Sequence, residues 1–211
     1  MKIIKWLGIS LLILIIALLG YGYFSYRSIM TPDAKVVDLG ITYSEADAKR
    51  AIVEKAGVEL DDITGLYLGS DPKTEGFKSV DAVFSNAEVS AAGNYANSEK
   101  GPFNNVQVKM LGNNEGEASG FLSVKEISAP VYVKGKVTVS GPKSFSIKAS
   151  ELRVGKYNVP LSLVRMVETK FNSYLNSQLD KVEGLEIERV EINNGQVHFV
   201  GQVPSKVTTK N

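Results

Sequence analysis

The residue types that carry out most protein chemistry are few in this sequence and do not cluster. His198 is the only histidine. Strand alternation places it on the face opposite Phe199, with no metal ligand or second catalytic residue beside it. Acidic pairs such as Glu186 and Glu188 fall on strand faces, where contact with water is the usual reason for a carboxylate. The sequence therefore predicts no catalytic residue and no metal site.

Motifs and composition exclude other reactive groups. Serines are plentiful, but no G-x-S-x-G nucleophile elbow is present. The glycine-containing stretch 112–116 predicts a hairpin turn, because no helix follows it to bind a phosphate at its N-terminus. The lack of cysteine rules out disulfides, thiolate metal sites and cysteine nucleophiles. We therefore expect a protein that is not an enzyme and has no cofactor.

The charge balance excludes one class of partner. The first 28 residues carry three basic side chains and no acidic one, which leaves 21 basic against 23 acidic residues in the remainder. A slightly acidic domain of this kind is not suited to neutralise phosphates. We therefore expect no nucleic-acid partner.

The N-terminus contains a long apolar run. Residues 6–24 include no charged side chain, and as a helix they would span roughly 28 Å, close to the hydrocarbon core of a bilayer. A cleaved signal peptide is one alternative, but Tyr21, Tyr23 and Phe24 suit a membrane interface better than a cleavage site. A buried core helix is the other alternative. We predict an uncleaved transmembrane helix that binds the bilayer through residues 6–24.

The flanking charges predict the orientation of this helix. Lys2 and Lys5 precede the apolar run, and Arg27 alone follows it closely. This bias places the N-terminus in the cytoplasm and the rest of the chain outside, as a single-pass protein of the cell membrane. The predicted organisation is a cytoplasmic stub with a signal-anchor helix over 1–28, a linker over 29–35 and an extracytoplasmic domain over 36–211.

Two helix starts are recognisable in the domain. Ser44 with Asp47, and Ser85 with Glu88, have the spacing of capping boxes, in which the first side chain and the third following side chain bond reciprocally to backbone amides. The first box predicts a helix that ends before Gly57, because glycine is a common helix stop. Two short strands are also predicted, over 36–41 and 63–68.

The longer strands alternate apolar and polar residues, as half-buried antiparallel strands do. Phe145 and Ile147 fall out of phase with Leu152, which predicts a β-bulge near Ser150 and Glu151. A similar phase shift predicts a second bulge in the closing hairpin over 185–192. Bulges and strand glycines allow a sheet to curl.

A long amphipathic helix is predicted from residue 161 to about residue 180, with apolar residues at spacings of three, four and seven. Glu168 and Asn172 are among the polar residues on the side opposite its apolar stripe. This helix and its hairpin repeat the order of the helix and hairpin over 85–124. The predicted fold class is α+β: an N-terminal transmembrane helix, then a curved antiparallel sheet wrapped around the long helix, with two helix-plus-hairpin units.

A curled sheet around one apolar helix encloses an elongated interior. Side chains that fill it make an ordinary core, and an unfilled interior makes a slot shaped for an acyl chain. Both arrangements require the same alternation, so both stay open at this point. The candidate lining residues are Val164, Val167, Phe171, Tyr174 and Leu175 of the helix, with Val133, Val137, Phe145 and Ile147 of the strands facing them.

Several segments resemble a known family. They are Asn158–Pro160, the helix segment 171–176 and the hairpin 185–201, with further similarity over 80–94 and 103–122. These segments resemble small membrane-anchored bacterial envelope proteins of the YpmS type and, more loosely, the LmeA type, which has a TULIP-like lipid-binding fold. The similarity covers most of residues 77–203 and carries over no catalytic residue. It implies a domain that holds or passes a lipid or another amphiphile near a membrane.

Two functions of different kinds follow as predictions. The first is a membrane-anchored extracytoplasmic domain that binds or transfers a lipid or another amphiphile in the cell envelope. The second is a non-enzymatic scaffold with a filled core, which works with an envelope protein partner in cell-wall or division assemblies. An enzyme is the third alternative, and no residue cluster supports it.

Overall fold

The structure is a computed structural model that describes residues 35–61, 73–97, 101–124 and 127–208. The fold is α+β. The helices are α1 Glu45–Lys49, continued by a π-helical segment Arg50–Lys55, then α2 Asn86–Asn97 and α3 Leu161–Leu179. The strands are β1 Glu59–Leu60, β2 Lys73–Glu75, β3 Lys78–Ser85, β4 Phe103–Gly112, β5 Glu115–Val124, β6 Ile127–Gly141, β7 Ser144–Val154, β8 Tyr157–Asn158, β9 Glu186–Asn193, β10 Gln196–Val203 and β11 Lys206–Thr208.

The main sheet has five antiparallel strands in the order β4-β5-β6-β7-β8. Ala118 lies opposite Val133, which lies opposite Leu152 on the next strand, so these three side chains share one face. Ser119 and Tyr132 are paired one residue along and therefore point to the other side. We call these two sides of the main sheet the apolar face and the polar face.

Both predicted β-bulges are confirmed. Ser150 is the extra residue of β7 opposite β6, and Glu188 is the extra residue of β9 opposite β10. A glycine lies on the partner strand in each case, Gly135 in β6 and Gly201 in β10. A Cβ atom at Gly135 would lie 2.7 Å from the carbonyl oxygen of Lys148. The two backbones can approach this closely only because the side chain is missing.

The described residues also form two smaller sheets. One has the order β3-β10-β9, and the other has the order β1-β11-β2. Strand β9 crosses the hairpin end of the main sheet. There the amide of Ile187 donates to the carbonyl oxygen of Pro142 at 2.5 Å, and the amide of Ile192 donates to Asn114 Oδ1 at 2.8 Å. Both isoleucines are buried, so this end of the main sheet is closed by packing as well as by hydrogen bonds.

The two predicted capping boxes are also confirmed. The amide of Ser44 donates to Asp47 Oδ2 at 2.9 Å, and the amide of Ser85 donates to Glu88 Oε2 at 2.8 Å. The first helix ends before Gly57, which has φ +65°. Each box gives a polar partner to backbone groups that have none inside the helix.

Helix α3 is attached to the edge of β7 by a ladder of hydrogen bonds from backbone amides to side chains. The bonds are Ala149 N–H to Glu168 Oε2 at 2.9 Å, Ile147 N–H to Asn172 Oδ1 at 3.0 Å, and Phe145 N–H to Asn176 Oδ1 at 3.1 Å. Four helix residues rise about 6 Å and two strand residues rise nearly 7 Å, so the two repeats stay in step over three rungs.

Helix α2 attaches to the edge of β4 in the same way. The bonds are Met110 N–H to Asn86 Oδ1, Val108 N–H to Ser90 Oγ, and Val106 N–H to Asn94 Oδ1, each at 2.8 Å. The acceptors are again four residues apart on the helix and the donors two apart on the strand. Both long edges of the main sheet therefore have their backbone groups paired with helix side chains.

Replacing Asn172 by alanine is expected to lower the free energy of unfolding by about 2 kcal/mol. Asn172 accepts from the Ile147 amide and donates to the Ile147 carbonyl oxygen at 2.9 Å. Its loss leaves two partly buried backbone groups without a partner, and each such group costs about 1 kcal/mol or more. Chemical denaturation measures the change. Ser173→Ala, at an exposed position on the same helix, is the control, and an equal effect of the two changes would contradict the role of the ladder.

The predicted fold class is wrong in its architecture. Within the described ranges the strands form three sheets rather than one curved sheet, and α3 lies along the edge of the main sheet rather than inside it. The physical reason is the ladder, because Glu168, Asn172 and Asn176 bind the outer edge of β7 and hold the helix there. No helix within the described part of the chain is long and apolar enough to cross a membrane. The predicted span over 6–24 lies outside the described residues, as does residue range 1–34 altogether.

The predicted strand over 36–41 is also wrong. Segment 35–42, which we call the strap, has no regular secondary structure and pairs with no strand in the described part of the chain. The amides of Leu39 and Ile41 donate instead to the side chain of Gln107 on β4. The side-chain oxygen of Gln107 therefore accepts the hydrogen bonds that the carbonyl oxygens of a neighbouring strand would otherwise accept. The other predicted short strand, over 63–68, lies outside the described residues.

Candidate functional site

The apolar face of the main sheet is only partly covered. Val131, Val133 and Val137 belong to β6, which has strands on both sides, yet all three are only half-buried. Apolar side chains of a central strand are usually removed from water when a further layer packs on the sheet. Since α3 is held at the edge of β7, part of this face remains accessible.

Helix α3 adds a second apolar surface beside this face. Val167, Phe171 and Leu175 share the side of the helix on which Val164 packs against the sheet, because they follow it at spacings of three and four. Tyr174 is adjacent, and these side chains apart from Val164 are half-buried. On the sheet, Val137 is paired with Ile147. The ladder rungs at Asn172 and Asn176 hold this part of the helix against Ile147 and Phe145.

Eight of the nine predicted lining residues are half-buried, and they lie on β6, on β7 and on α3. We call their combined surface the apolar groove. Its members are Val133, Val137, Phe145, Ile147, Val167, Phe171, Tyr174 and Leu175.

The ninth residue, Val164, is in the core. Its exposed fraction is 2%, and it packs in a cluster with Ala129, Val154 and Val159. Val164 therefore has almost no surface to offer to a ligand. The cluster fixes the N-terminal part of α3 on the sheet.

The electrostatic character of the groove is neutral. Its members are apolar except for Tyr174, and burial raises the pKa of the Tyr174 phenol above its usual value of 10.0. The phenol is therefore protonated at physiological pH and offers one hydrogen-bond donor among apolar side chains. A surface of this kind can bind an apolar chain, and it has no group suited to bond cleavage.

His198 has partners that were not predicted. Its Nε2 lies 2.5 Å from Asp81 Oδ1, and its Nδ1 lies 3.9 Å from Glu191 Oε2. These carboxylates come from β3 and β9 on either side of β10, so only the strand pairing brings them together. They contact opposite ring nitrogens, which point away from each other. Among residues 35–61, 73–97, 101–124 and 127–208, no three histidine or acidic side chains are placed to hold a metal ion.

Two serine and lysine pairs have the spacing of the S-x-x-K motif, Ser70 with Lys73 and Ser140 with Lys143, and only the second lies wholly within the described residues. Ser140 and Lys143 flank the turn between β6 and β7. Lys143 Nζ donates to the carbonyl oxygen of Val182 at 3.1 Å, and Ser140 Oγ donates to Ser144 Oγ at 3.1 Å. The lysine does not contact the serine, so the pair lacks the geometry of an activated nucleophile.

The sequence prediction missed the residues that position the groove. The sequence predicts that Glu168 and Asn172 face away from the sheet, and it predicts no contact for Asn176, whereas all three bind the edge of β7. The available signal was their spacing of four residues, which places three polar side chains in one row on the helix. Asn86, Ser90 and Asn94 have the same spacing.

No family model, no curated protein and no solved structure matches this chain.

Proposed function

We propose that the domain binds the acyl chain of a lipid or another amphiphile in the apolar groove. The supporting observation is the half-buried state of the large apolar side chains on a central strand and on the adjacent side of α3. A ligand that covers them removes apolar surface from water, which stabilises the complex in proportion to the buried area. The polar head group lies outside the groove, in contact with water.

The dimensions of the groove agree with an acyl chain. The helix positions from Val167 to Leu175 extend over about 12 Å, which is long enough for a chain of about nine methylene groups. Complete burial contributes about 0.8 kcal/mol per methylene, and a groove open on one side recovers only part of this. Binding also costs free energy because the ligand loses translational and conformational freedom. We therefore expect micromolar rather than nanomolar affinity.

The cellular setting is also part of the proposal. The uncharged run over 6–24 and the resemblance to YpmS-type envelope proteins support attachment to the cell membrane, with the domain on the extracytoplasmic side. In that position the groove has access to lipids that leave the bilayer. The function would then be to shield such a lipid or pass it to an envelope protein, without chemistry.

Photochemical cross-linking tests the groove directly. The full chain is reconstituted in vesicles of phosphatidylethanolamine and phosphatidylglycerol with a palmitic acid that carries a diazirine near the middle of its chain. After irradiation and trypsin digestion, we expect labelled peptides from 171–181 and 144–148, which contain Phe171, Tyr174, Phe145 and Ile147. An excess of unlabelled palmitate is expected to remove this label.

The same experiment distinguishes lipid contact in the bilayer from binding in the groove. Label in the peptide that contains residues 6–24 arises from simple contact with lipid and serves as an internal standard. If that peptide is labelled while 171–181 and 144–148 are not, the amphiphile proposal is wrong, and the scaffold function becomes the better account.

A further inference from the structure

The polar face of the main sheet carries a second cleft, on the side opposite the apolar groove. The strap crosses this face above β4 and β5. Gln107 Oε1 accepts from the amide of Leu39 at 2.7 Å, and Ser119 Oγ donates to the carbonyl oxygen of Val37 at 2.6 Å. A cleft of about 610 Å³ lies between the strap and the strands, which is within the size range of small-molecule sites.

One wall of this cleft is apolar and contains a single aromatic ring. Phe121 of β5 lines the cleft together with Val36 and Ile41 of the strap. Phe121 follows Gly120 and precedes Leu122, whose side chain belongs to the apolar face, so the ring lies on the polar face. An aromatic ring in this position provides a flat apolar platform inside a polar site.

The other lining groups have hydrogen-bonding capacity to spare. Lys35, Thr42 and Asn105 line the cleft, and none of their side chains forms a hydrogen bond within the described ranges. Gln107 uses only Oε1 for the strap, which leaves its amide N–H groups available. Asp38 uses Oδ1 for the amide of Gly40 and keeps Oδ2 available. Donors and acceptors are therefore both present around one space.

Asn105 is held at the cleft by an irregular backbone. Residues 105 and 106 together lie opposite Gly120, which makes a third bulge. Asn105 has φ +50°, a left-handed conformation that asparagine tolerates better than most residues. A Cβ atom at Gly120 would lie 3.1 Å from the carbonyl oxygen of Asn104. Bulges re-aim side chains, and this one interrupts the regular ladder of β4 at the cleft.

We propose that this cleft binds a mono- or disaccharide. A sugar ring has a face of C–H groups that packs on an aromatic ring, and hydroxyl groups that both donate and accept hydrogen bonds. Phe121 supplies the ring, while Asn105, Gln107 and Asp38 supply amide and carboxylate groups that pair with neighbouring hydroxyls. Because Lys35 and Asp38 carry opposite charges, the lining favours an uncharged sugar. A peptide ligand would find only one apolar wall for its side chains.

Saturation-transfer NMR on the full chain in nanodiscs tests this site. The probes are chitobiose, cellobiose, maltose, mannobiose and the tripeptide Ala-Ala-Ala, each at millimolar concentration. At least one disaccharide is expected to receive saturation from the protein. Phe121→Leu keeps apolar volume and removes the aromatic face, and we expect it to weaken binding of that sugar at least about tenfold.

A matched pair of variants separates the cleft from general effects on the protein. Asn105→Gly removes the amide side chain and accepts a positive φ, and it is expected to lose the sugar signal. Asn113→Gly makes the same change at another exposed asparagine, which has φ +53° in the β4–β5 turn, and is expected to keep the sugar signal.

The saccharide proposal is overturned if no disaccharide gives a signal, if only the tripeptide does, or if Asn105→Gly and Phe121→Leu bind as the parent does. Phe171→Glu, in the groove on the other face, is expected to leave the sugar signal unchanged. The two binding proposals are therefore tested independently of each other.

Discussion

Replacing Glu88 by alanine is expected to lower the free energy of unfolding by about 3 kcal/mol, the lower end of the range for a broken buried ion pair. The exposed fraction of Glu88 is 2%, and its Oε2 accepts from Lys55 Nζ at 2.7 Å and from the amide of Ser85 at 2.8 Å. The alanine variant leaves the lysine without its ionic partner, while its bond to the carbonyl oxygen of Val83 remains, and it removes the capping box of α2. Lys55 keeps some contact with water, which limits the loss.

The Glu88 pair also predicts a dependence on pH. Burial alone raises the pKa of Glu88, but the hydrogen bonds from Lys55 and the Ser85 amide outweigh burial and hold the pKa below its ordinary value of 4.5. Since the pKa is lower in the folded state, the stabilisation is fully present well above pH 4.5 and is lost as the pH falls through the folded value. Glu88→Gln has no such titration. The stability difference between the parent and Glu88→Gln is therefore expected to shrink as the pH falls below about 4.5.

Urea unfolding followed by circular dichroism at pH 7, 5 and 3.5 measures both effects. Glu191→Ala is the control. Glu191 forms an ion pair with Arg189 at 3.4 Å in which both side chains are exposed, and exposed pairs contribute at most about 1 kcal/mol. Equal losses for Glu88→Ala and Glu191→Ala would show that the buried pair contributes no more than a surface pair.

Replacing Phe171 by glutamate is expected to weaken binding of the palmitic acid probe by at least about 30-fold. The loss of a large apolar contact accounts for roughly 2 kcal/mol, and the carboxylate adds the cost of removing a charge from water beneath the ligand. Because Phe171 is half-buried rather than buried, the glutamate can turn towards water in the free protein. We expect the variant to fold. Cross-linking yield in peptide 171–181, at several probe concentrations, measures the affinity.

Ser173→Glu is the matched control for this change. It adds the same charge to the same helix at an exposed position and is expected to bind the probe as the parent does. Tyr174→Ser tests the same wall without a new charge and is expected to show a smaller loss. If Phe171→Glu folds and retains the probe as Ser173→Glu does, the groove is not the binding site.

The local parts of the fold follow well from the sequence. The capping boxes at Ser44 and Ser85 were predictable because a cap depends on residues only three apart. The bulge at Ser150 was predictable because one extra residue in a strand reverses the alternation, and that reversal is visible in the order of Phe145, Ile147 and Leu152. Alternation and helix period likewise define the faces on which the predicted groove residues lie.

The arrangement of these parts did not follow from the sequence. Polar residues spaced by four on a helix usually face water, and nothing local shows that Asn172 instead contacts the edge of a strand 25 residues earlier in the chain. The strap was predicted as a strand because its composition fits one, whereas Gln107 provides its hydrogen-bond partner. The polar cleft was missed because it depends on Phe121 and Asn105 facing a segment that is distant in sequence.

The two ladders of helix side chains have a consequence for association between chains. An open edge strand offers a row of amides and carbonyls to any other extended chain, and many proteins aggregate by pairing along such edges. Here the amides of Val106, Val108 and Met110 on one edge, and of Phe145, Ile147 and Ala149 on the other, are already bonded. The polar side chains of α2 and α3 that bind these amides therefore prevent edge-to-edge pairing between main sheets of different molecules. This protection matters most where many copies of a protein are concentrated on one surface.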